Sequence, residues 1–223
     1  MSRELAIRGV TRFISGVVMF AVMLLWPAGS WGYWNAWLLM GVLFIPILVP
    51  GIVMLIHSPT LLRKRLEGKE KEKQQRWVVA LSGVMFIASF VVAGFNFRFA
   101  WATLPDWVTW IGVAIFLLSY VLYAEVMREN AYLSRTIEIQ QGQRVIDTGL
   151  YSIVRHPMYS ATILMFLSIP LILSSIISFV IMLVYIPIIA IRIKNEERIL
   201  EDGLRGYKEY KQRVKYKIIP FVW

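Results

Sequence analysis

Three short stretches of this sequence set polar side chains where an apolar run begins or ends, and chemistry could reside in each. The first is "GLYSIVRHPMYSATILMFLSIPLILSS", residues 149–175, where Arg155 and His156 stand directly before Pro157. Proline at the first helical position leaves the other first-turn amides free at that end. A helix end of this kind attracts anions, a carboxylate among them. Arg155 adds a bidentate donor, and Tyr151 and Tyr159 add aromatic faces for a cation or an adenine ring. The competing assignment is an interfacial anchor, with Arg155 reaching lipid phosphate and both tyrosines in the aromatic belt.

The second stretch is "IRIKNEERIL", residues 191–200. Arg192 and Glu196 are four apart and share a helical face, with Glu197 about 100° further round. On an ordinary surface helix such pairs contribute only a few tenths of a kcal/mol, roughly 0.2–0.5 each. A paired Arg and Glu at the end of an uncharged run can instead face a bundle interior. The third stretch, "YVLYAEVMRENAY", carries Glu125, which Arg128 and Glu129 assign to a structural place at the interface, and Asn130, an amide able to bond a ligand. His57 reads as interfacial. The absence of cysteine excludes disulfides and thiolate chemistry. Two histidines are too few for a transition-metal site without carboxylate help, so no metal site is assigned.

The elements that must position these groups are membrane helices. Of 223 residues, 58% are hydrophobic and 17% charged, too few polar groups to cover a soluble domain of this size. Several runs approach or exceed the roughly 18–20 apolar residues that cross a bilayer. The expected fold is all-α: one polytopic integral membrane domain, 1–223, with about six transmembrane helices. They fall near 11–27, 33–56, 77–97, 107–128, 157–173 and 176–193, and the last two form a short hairpin bent at Pro170, Ser174 and Ser175. Residues 1–127 hold the N-terminal helices with an interfacial loop at 57–76, and 128–223 form the region expected to bind and react. The loop's "SPTLLRKRLEG", 58–68, suits a short helix lying on the membrane.

Charge sets the expected orientation. All but one of the 24 Lys and Arg residues fall in the N-terminus, the 57–76 loop, the 128–156 loop and the tail from Arg192. The opposite connections, 28–32, 98–106 and 171–175, carry only Arg98. The positive-inside rule places the basic side, and both termini, in the cytoplasm. Trp26, Trp31, Tyr33, Trp34 and Trp37 then fall in the outer aromatic belt. The first segment has the length of a signal-peptide core, but a retained helix fits the charge alternation. The net charge of +10 lies in loops without a nucleic-acid-binding motif, so no nucleic acid partner is expected. The apolar end "IIPFVW" is expected to fold the tail back onto the membrane or over the site.

"QRVIDTGLYSIVRHPMYSA" (143–161), "RIKNEERIL" (192–200) and "GYKEYKQRVKYKIIP" (206–220) together resemble the isoprenylcysteine carboxyl methyltransferase family of integral membrane enzymes. "SPTLLRKRLEG" resembles a further element of its prokaryotic-type members. The resemblance covers roughly the C-terminal half plus that loop, and phospholipid N-methyltransferases and, more loosely, membrane sterol reductases share it. It implies S-adenosylmethionine bound on the cytoplasmic face, with S-adenosylhomocysteine as product. By motif match it implies a cofactor set of Gln143, Tyr151, Ser152, Ile153, Val154, His156, Tyr159, Leu164 and Glu196, with Arg155 beside the methionyl carboxylate. Arg192 would face the acceptor, and Glu197 is the candidate base for an amine acceptor, with Glu125 as the alternative. Where the family pattern RHP-x-Y-x-G has glycine this sequence has Ala161, whose methyl is expected to narrow the pocket slightly.

The function implied is methyl transfer to a lipophilic acceptor entering from the bilayer, a small molecule or a prenylated substrate. A carboxylate such as that of isoprenylcysteine is the family's reference acceptor, and a phospholipid or lipid amine is the alternative. A small transporter or membrane scaffold is the reading from another class. It predicts repeated halves or broken helices, and the first and last 110 residues show no such correspondence.

Overall fold

The computed structural model describes residues 3–57, 73–133 and 139–223. The stretch 58–68 therefore lies outside the described residues. Eight α-helices run in order among them: α1 (Arg3–Ala28), α2 (Trp34–His57), α3 (Lys73–Phe99), α4 (Asp106–Glu129), α5 (Pro157–Ile172), α6 (Ile176–Met182), α7 (Tyr185–Gly203) and α8 (Tyr207–Arg213). A single 3-10 turn, Gly149–Ser152, precedes α5. Four long helices and the joined α6–α7 segment are apolar and long enough to cross a membrane, while α5 has 16 residues. The six-helix, all-α polytopic expectation holds.

Two details of the hairpin differ from expectation. Pro170 lies buried inside α5 and does not make the bend. The reversal comes at Ser174, with φ of +53°, and at Ser175, whose hydroxyl accepts from the Ser178 amide and caps α6. The last apolar segment, expected as one helix, breaks between Met182 and Tyr185 and then continues to Gly203. Pro187 accounts for the break, because its ring lacks an N–H and crowds the carbonyl four residues earlier.

Without an apolar driving force between helices in lipid, close approach depends on small residues. At Gly112 an added Cβ would lie 2.9 Å from the Ile172 amide nitrogen and the Leu171 Cβ, so α4 and α5 meet there backbone to backbone. Gly94 does the same for α3 against α1, with the Leu24 carbonyl 2.6 Å from the Cβ position. The core between these contacts includes Leu24, Leu39, Phe90, Phe116, Ile169 and Ile172.

The three weakly charged connections converge at one end of the bundle. Leu104 and Ser174 exchange hydrogen bonds at 3.0 and 2.8 Å, the Asn96 side chain bridges to Ala102 and Ser174, and Thr103 pairs with Ser175. Trp26, Trp31, Trp34 and Trp37 are exposed there, as belt residues should be. Tyr33 departs from that expectation: it is fully buried, stacks on Phe97 and donates to the Leu173 carbonyl at 2.7 Å. Its hydroxyl found an internal acceptor, and that makes an amphipathic ring a core residue. Among the described residues, the ends of the long helices opposite these turns carry the loop before α5, the end of α7 and the tail, where the motifs at 149–161 and 191–200 lie.

Gly112→Ala is expected to destabilise the detergent-solubilised protein by about 1–3 kcal/mol through overpacking. Gly41→Ala, with open space at its Cβ position, is expected to cause no loss. Thermal unfolding midpoints of the two variants check this.

Candidate active site

The site is assembled from three segments that are far apart in sequence. The loop before α5 delivers Arg155, and burying its guanidinium requires acceptors. Nε donates to Glu197 of α7 at 2.7 Å, and Nη1 donates to the tail carbonyls of Val214 and Lys215 at 2.6 and 2.8 Å. The His156 ring lies 3.2 Å from the same Glu197 oxygen. The backbone follows: the Arg155 amide donates to the Tyr216 carbonyl, the His156 amide to that of Lys217, and Ser160 Oγ to that of Ile218. The tail thus folds back along the start of α5, drawn in by a buried ion pair.

The 3-10 turn is held with comparable care. Glu129, at the end of α4, accepts from the Leu150 amide at 3.0 Å. Gly149 beside it has φ of +51°, and its Cβ position is already filled by the Glu129 carboxyl. Asn130 donates to the Tyr151 hydroxyl at 2.9 Å, and Tyr210 of α8 donates to the Tyr151 carbonyl at 2.7 Å. Burial pushes the Tyr151 hydroxyl up to about 12, against the opposing effect of the Asn130 bond, so it stays neutral.

Between these supports opens a cleft with about 100 Å³ of interior space. One wall is charged. Arg192 Nε donates to the Tyr159 hydroxyl at 2.9 Å, and that hydroxyl donates to Glu196 at 2.6 Å. The rest of the lining includes an apolar and aromatic wall of Leu200, Leu204, Tyr207 and Tyr210, with Val145 packed against them.

Of the residues expected at the site, Gln143, Tyr151, Arg155, His156, Tyr159, Arg192 and Glu196 line the cleft. Five do not: Ser152, Ile153, Val154, Leu164 and Glu197. Ser152 and Ile153 are exposed, Leu164 is half-exposed on the apolar face of α5, and Val154 is buried in the body of the protein. Glu197 is the consequential correction. One residue past Glu196 on the helix, it turns inward to Arg155 and His156, and a carboxylate bound by two bases is not placed to take a proton from an acceptor.

Arg155 lines the cleft, yet its Nε and Nη1 are engaged internally. The Tyr159 and Ser160 amides meet the His156 carbonyl, so the first turn of α5 is less open to an anion than expected. Gln143 accepts from the Gln140 amide, and Asn130 uses both ends of its amide within the protein. Glu125 pairs with Arg128 as expected of a structural group. Ala161 is fully buried and outside the cleft lining, so its methyl bears on helix packing and does not narrow the pocket. Sequence reasoning missed the wall of Leu200, Leu204, Tyr207 and Tyr210. The available signal was their spacing of three or four residues across "LEDGLRGYKEY" (200–210), which the glycines at 203 and 206 obscure.

Fold and cleft together define a polytopic helical membrane protein with one polar site at the basic end of its bundle. Residues 107–205 match the phospholipid methyltransferase family model. The chain is 32% identical over 91 residues to Delta(14)-sterol reductase TM7SF2 of Mus musculus, a match taking in 40% of this chain and 22% of the reductase. Its fold is that of the eukaryotic intramembrane Ras methyltransferase ICMT (isoprenylcysteine carboxyl methyltransferase), with a TM-score of 0.59 and 18% identity. That likeness covers 96% of this chain and 77% of the other. Family and fold support the resemblance drawn from the sequence, that of a membrane methyltransferase.

Removing Glu197 leaves the Arg155 guanidinium buried and uncompensated. Glu197→Ala is therefore expected to lose about 3–5 kcal/mol of stability. Glu196→Ala, at the cleft wall, is expected to lose about 1–2 kcal/mol, the cost of one unmade hydrogen bond. Parallel thermal or denaturant unfolding of the two variants measures the difference.

Proposed function

We propose that this protein is an S-adenosylmethionine-dependent methyltransferase acting on a lipophilic carboxylate that enters from the bilayer. The observation that carries the reading is the cleft's charged wall: Arg155, His156, Tyr159, Arg192 and Glu196 all fall within the segment matching the phospholipid methyltransferase family. The donor set fits the cofactor. A buried hydroxyl without a partner, that of Tyr207, belongs to the apolar wall, and a carboxylate and a guanidinium belong to the other. S-adenosylmethionine supplies an electrophilic methyl group on a sulfonium.

The chain's own contribution is positioning, which dominates an in-line displacement. Glu196 is the anion available to the cofactor's cationic end, and Tyr159 fixes its orientation through the 2.6 Å hydrogen bond. The apolar wall excludes water from the reacting atoms. Arg192 lies where α7 leaves its apolar run and aligns the acceptor carboxylate. That acceptor is ionised at neutral pH and needs no general base. An amine acceptor would need one, and the engagement of Glu197 with Arg155 and His156 favours the carboxylate. The basic side of the bundle supports a cytoplasmic position for the cleft.

Calorimetry of detergent-purified protein with S-adenosylhomocysteine tests this. Wild type is expected to bind, and Glu196→Ala to bind at least about tenfold more weakly, the loss of a charge-assisted contact. No wild-type binding, or binding of a reduced nicotinamide nucleotide in its place, would remove the methyltransferase reading. With labelled cofactor and a farnesylcysteine acceptor, Arg192→Ala is expected to lower turnover by about a hundredfold or more. Methyl incorporation into lipid amines alone would shift the acceptor to the amine class.

A further inference from the structure

Beyond its attachment to the start of α5, the tail closes into a small loop. The amides of Lys217, Ile218 and Ile219 all donate to the Trp223 carbonyl, at 2.8, 2.9 and 3.1 Å. The Val222 and Trp223 amides return to the Ile219 carbonyl, both at 3.1 Å. The Lys217 ammonium lies 4.7 Å from the centre of the Trp223 ring, and the Tyr216 and Phe221 rings are 5.3 Å apart. The backbone of the loop is thus bonded to itself, yet its apolar side chains stay outside the packing. Ile219 is 51% exposed, Phe221 87% and Val222 74%. Phe221 also holds φ of +65°, a costly conformation for a bulky residue. A strained turn that sets an aromatic ring outside the protein implies a surface that receives it.

Position and charge indicate which surface that is. The Ile218 carbonyl accepts from Ser160 Oγ, in the first turn of α5, at 2.7 Å. The Ile218 side chain, 4% exposed, belongs to the buried cluster that includes Val78 of α3 and Tyr159 of α5. The loop therefore leaves the protein where these helices enter their apolar runs. Trp77, next to Val78 and 73% exposed, is placed as an interfacial ring should be. Basic side chains flank the tip, Lys215 exposed and Lys217 half-buried, and residues 214–223 include no acidic one. An apolar, aromatic tip with a basic flank fits the boundary between anionic headgroups and acyl chains. A tip of so few residues falls far short of the roughly 20–30 a side that form a stable protein interface.

We propose that residues 219–222 form an interfacial anchor, which seats Phe221 and Val222 in the bilayer that the helices cross. The depth is that of the headgroup–acyl boundary, about 5–10 Å. The anchor is separate from the cleft and does not depend on the reaction proposed there. Its consequence is for the tail. The carbonyls of residues 214–218, which hold Arg155, His156 and Ser160, are then fixed between the helix bundle and the lipid.

The chain has no cysteine, so Val222→Cys accepts a single polarity-sensitive fluorophore. The labelled protein is placed in nanodiscs of phosphatidylcholine and phosphatidylglycerol, one copy to a disc. Emission is then quenched by iodide from the water or by lipids spin-labelled high on the acyl chain. At position 222 the emission is expected to be blue-shifted, quenched strongly by the labelled lipid and weakly by iodide. Glu209→Cys, on the exposed side of α8, is the control and is expected to show the reverse. Adding Phe221→Asp to Val222→Cys is expected to raise iodide quenching severalfold, since Asp tolerates positive φ and keeps the turn. The comparison of positions 222 and 209 stands even if that double variant fails to fold. Equal quenching profiles at the two positions, by either agent, overturn a local anchor. Shielding of position 222 from iodide without quenching by lipid overturns the lipid as its partner and points to protein instead. No response to Phe221→Asp in a folded double variant overturns the role of the ring.

Discussion

A guanidinium taken out of water must find its acceptors within the protein, and Arg155 recruits them from two distant segments. One is Glu197 on α7; the others are the Val214 and Lys215 carbonyls of the tail. Arg155 itself sits at the entrance to α5, so one side chain ties together the start of one helix, the far end of another and the chain's last turn. His156 shares the Glu197 oxygen, and the backbone amides of both residues continue the attachment along Tyr216 and Lys217. The pair need not add net stability over a well-packed apolar equivalent. Its consequence is that the tail has one place to lie, and the cleft depends on that placement.

With the tail in place, adjacent residues on α7 divide their tasks. Glu196 and Glu197 differ by about 100° in direction, enough to send one carboxylate to the cleft and the other to the protein body. The charged wall then arises from a chain of two hydrogen bonds, from Arg192 to Tyr159 and from Tyr159 to Glu196. The apolar wall arises from α8 packing on the end of α7. The lining therefore comes partly from membrane helices and partly from a folded-back tail.

The far end of the bundle serves a different purpose. There the polar side chains of Tyr33, Asn35, Asn96 and Ser174 bond to backbone carbonyls and amides of the connecting turns. Loop backbone near a membrane must have its polar groups satisfied by protein, and these residues satisfy it. Gly112 and Gly94 let the helices between the two ends approach backbone to backbone.

Much of this was legible in the sequence, for reasons that are local or additive. Apolar runs of bilayer length mark the membrane segments, and the uneven distribution of lysine and arginine distinguishes the ends of the bundle. Polar residues at the mouths of apolar runs are costly enough to mark the site, and seven of the twelve expected residues do line the cleft. Other features depended on direction and distance, which spacing alone does not carry. The inward turn of Glu197, the burial of Tyr33, the bend at Ser174 instead of Pro170 and the aromatic wall of the tail are of this kind. Each was decided by which partner a polar group or a ring could reach once segments 40 to 140 residues apart had packed together. The residue types settled that this protein would be a helical membrane protein with a polar site at its basic end; only the packed structure decided which side chains face the cleft and which hold it open.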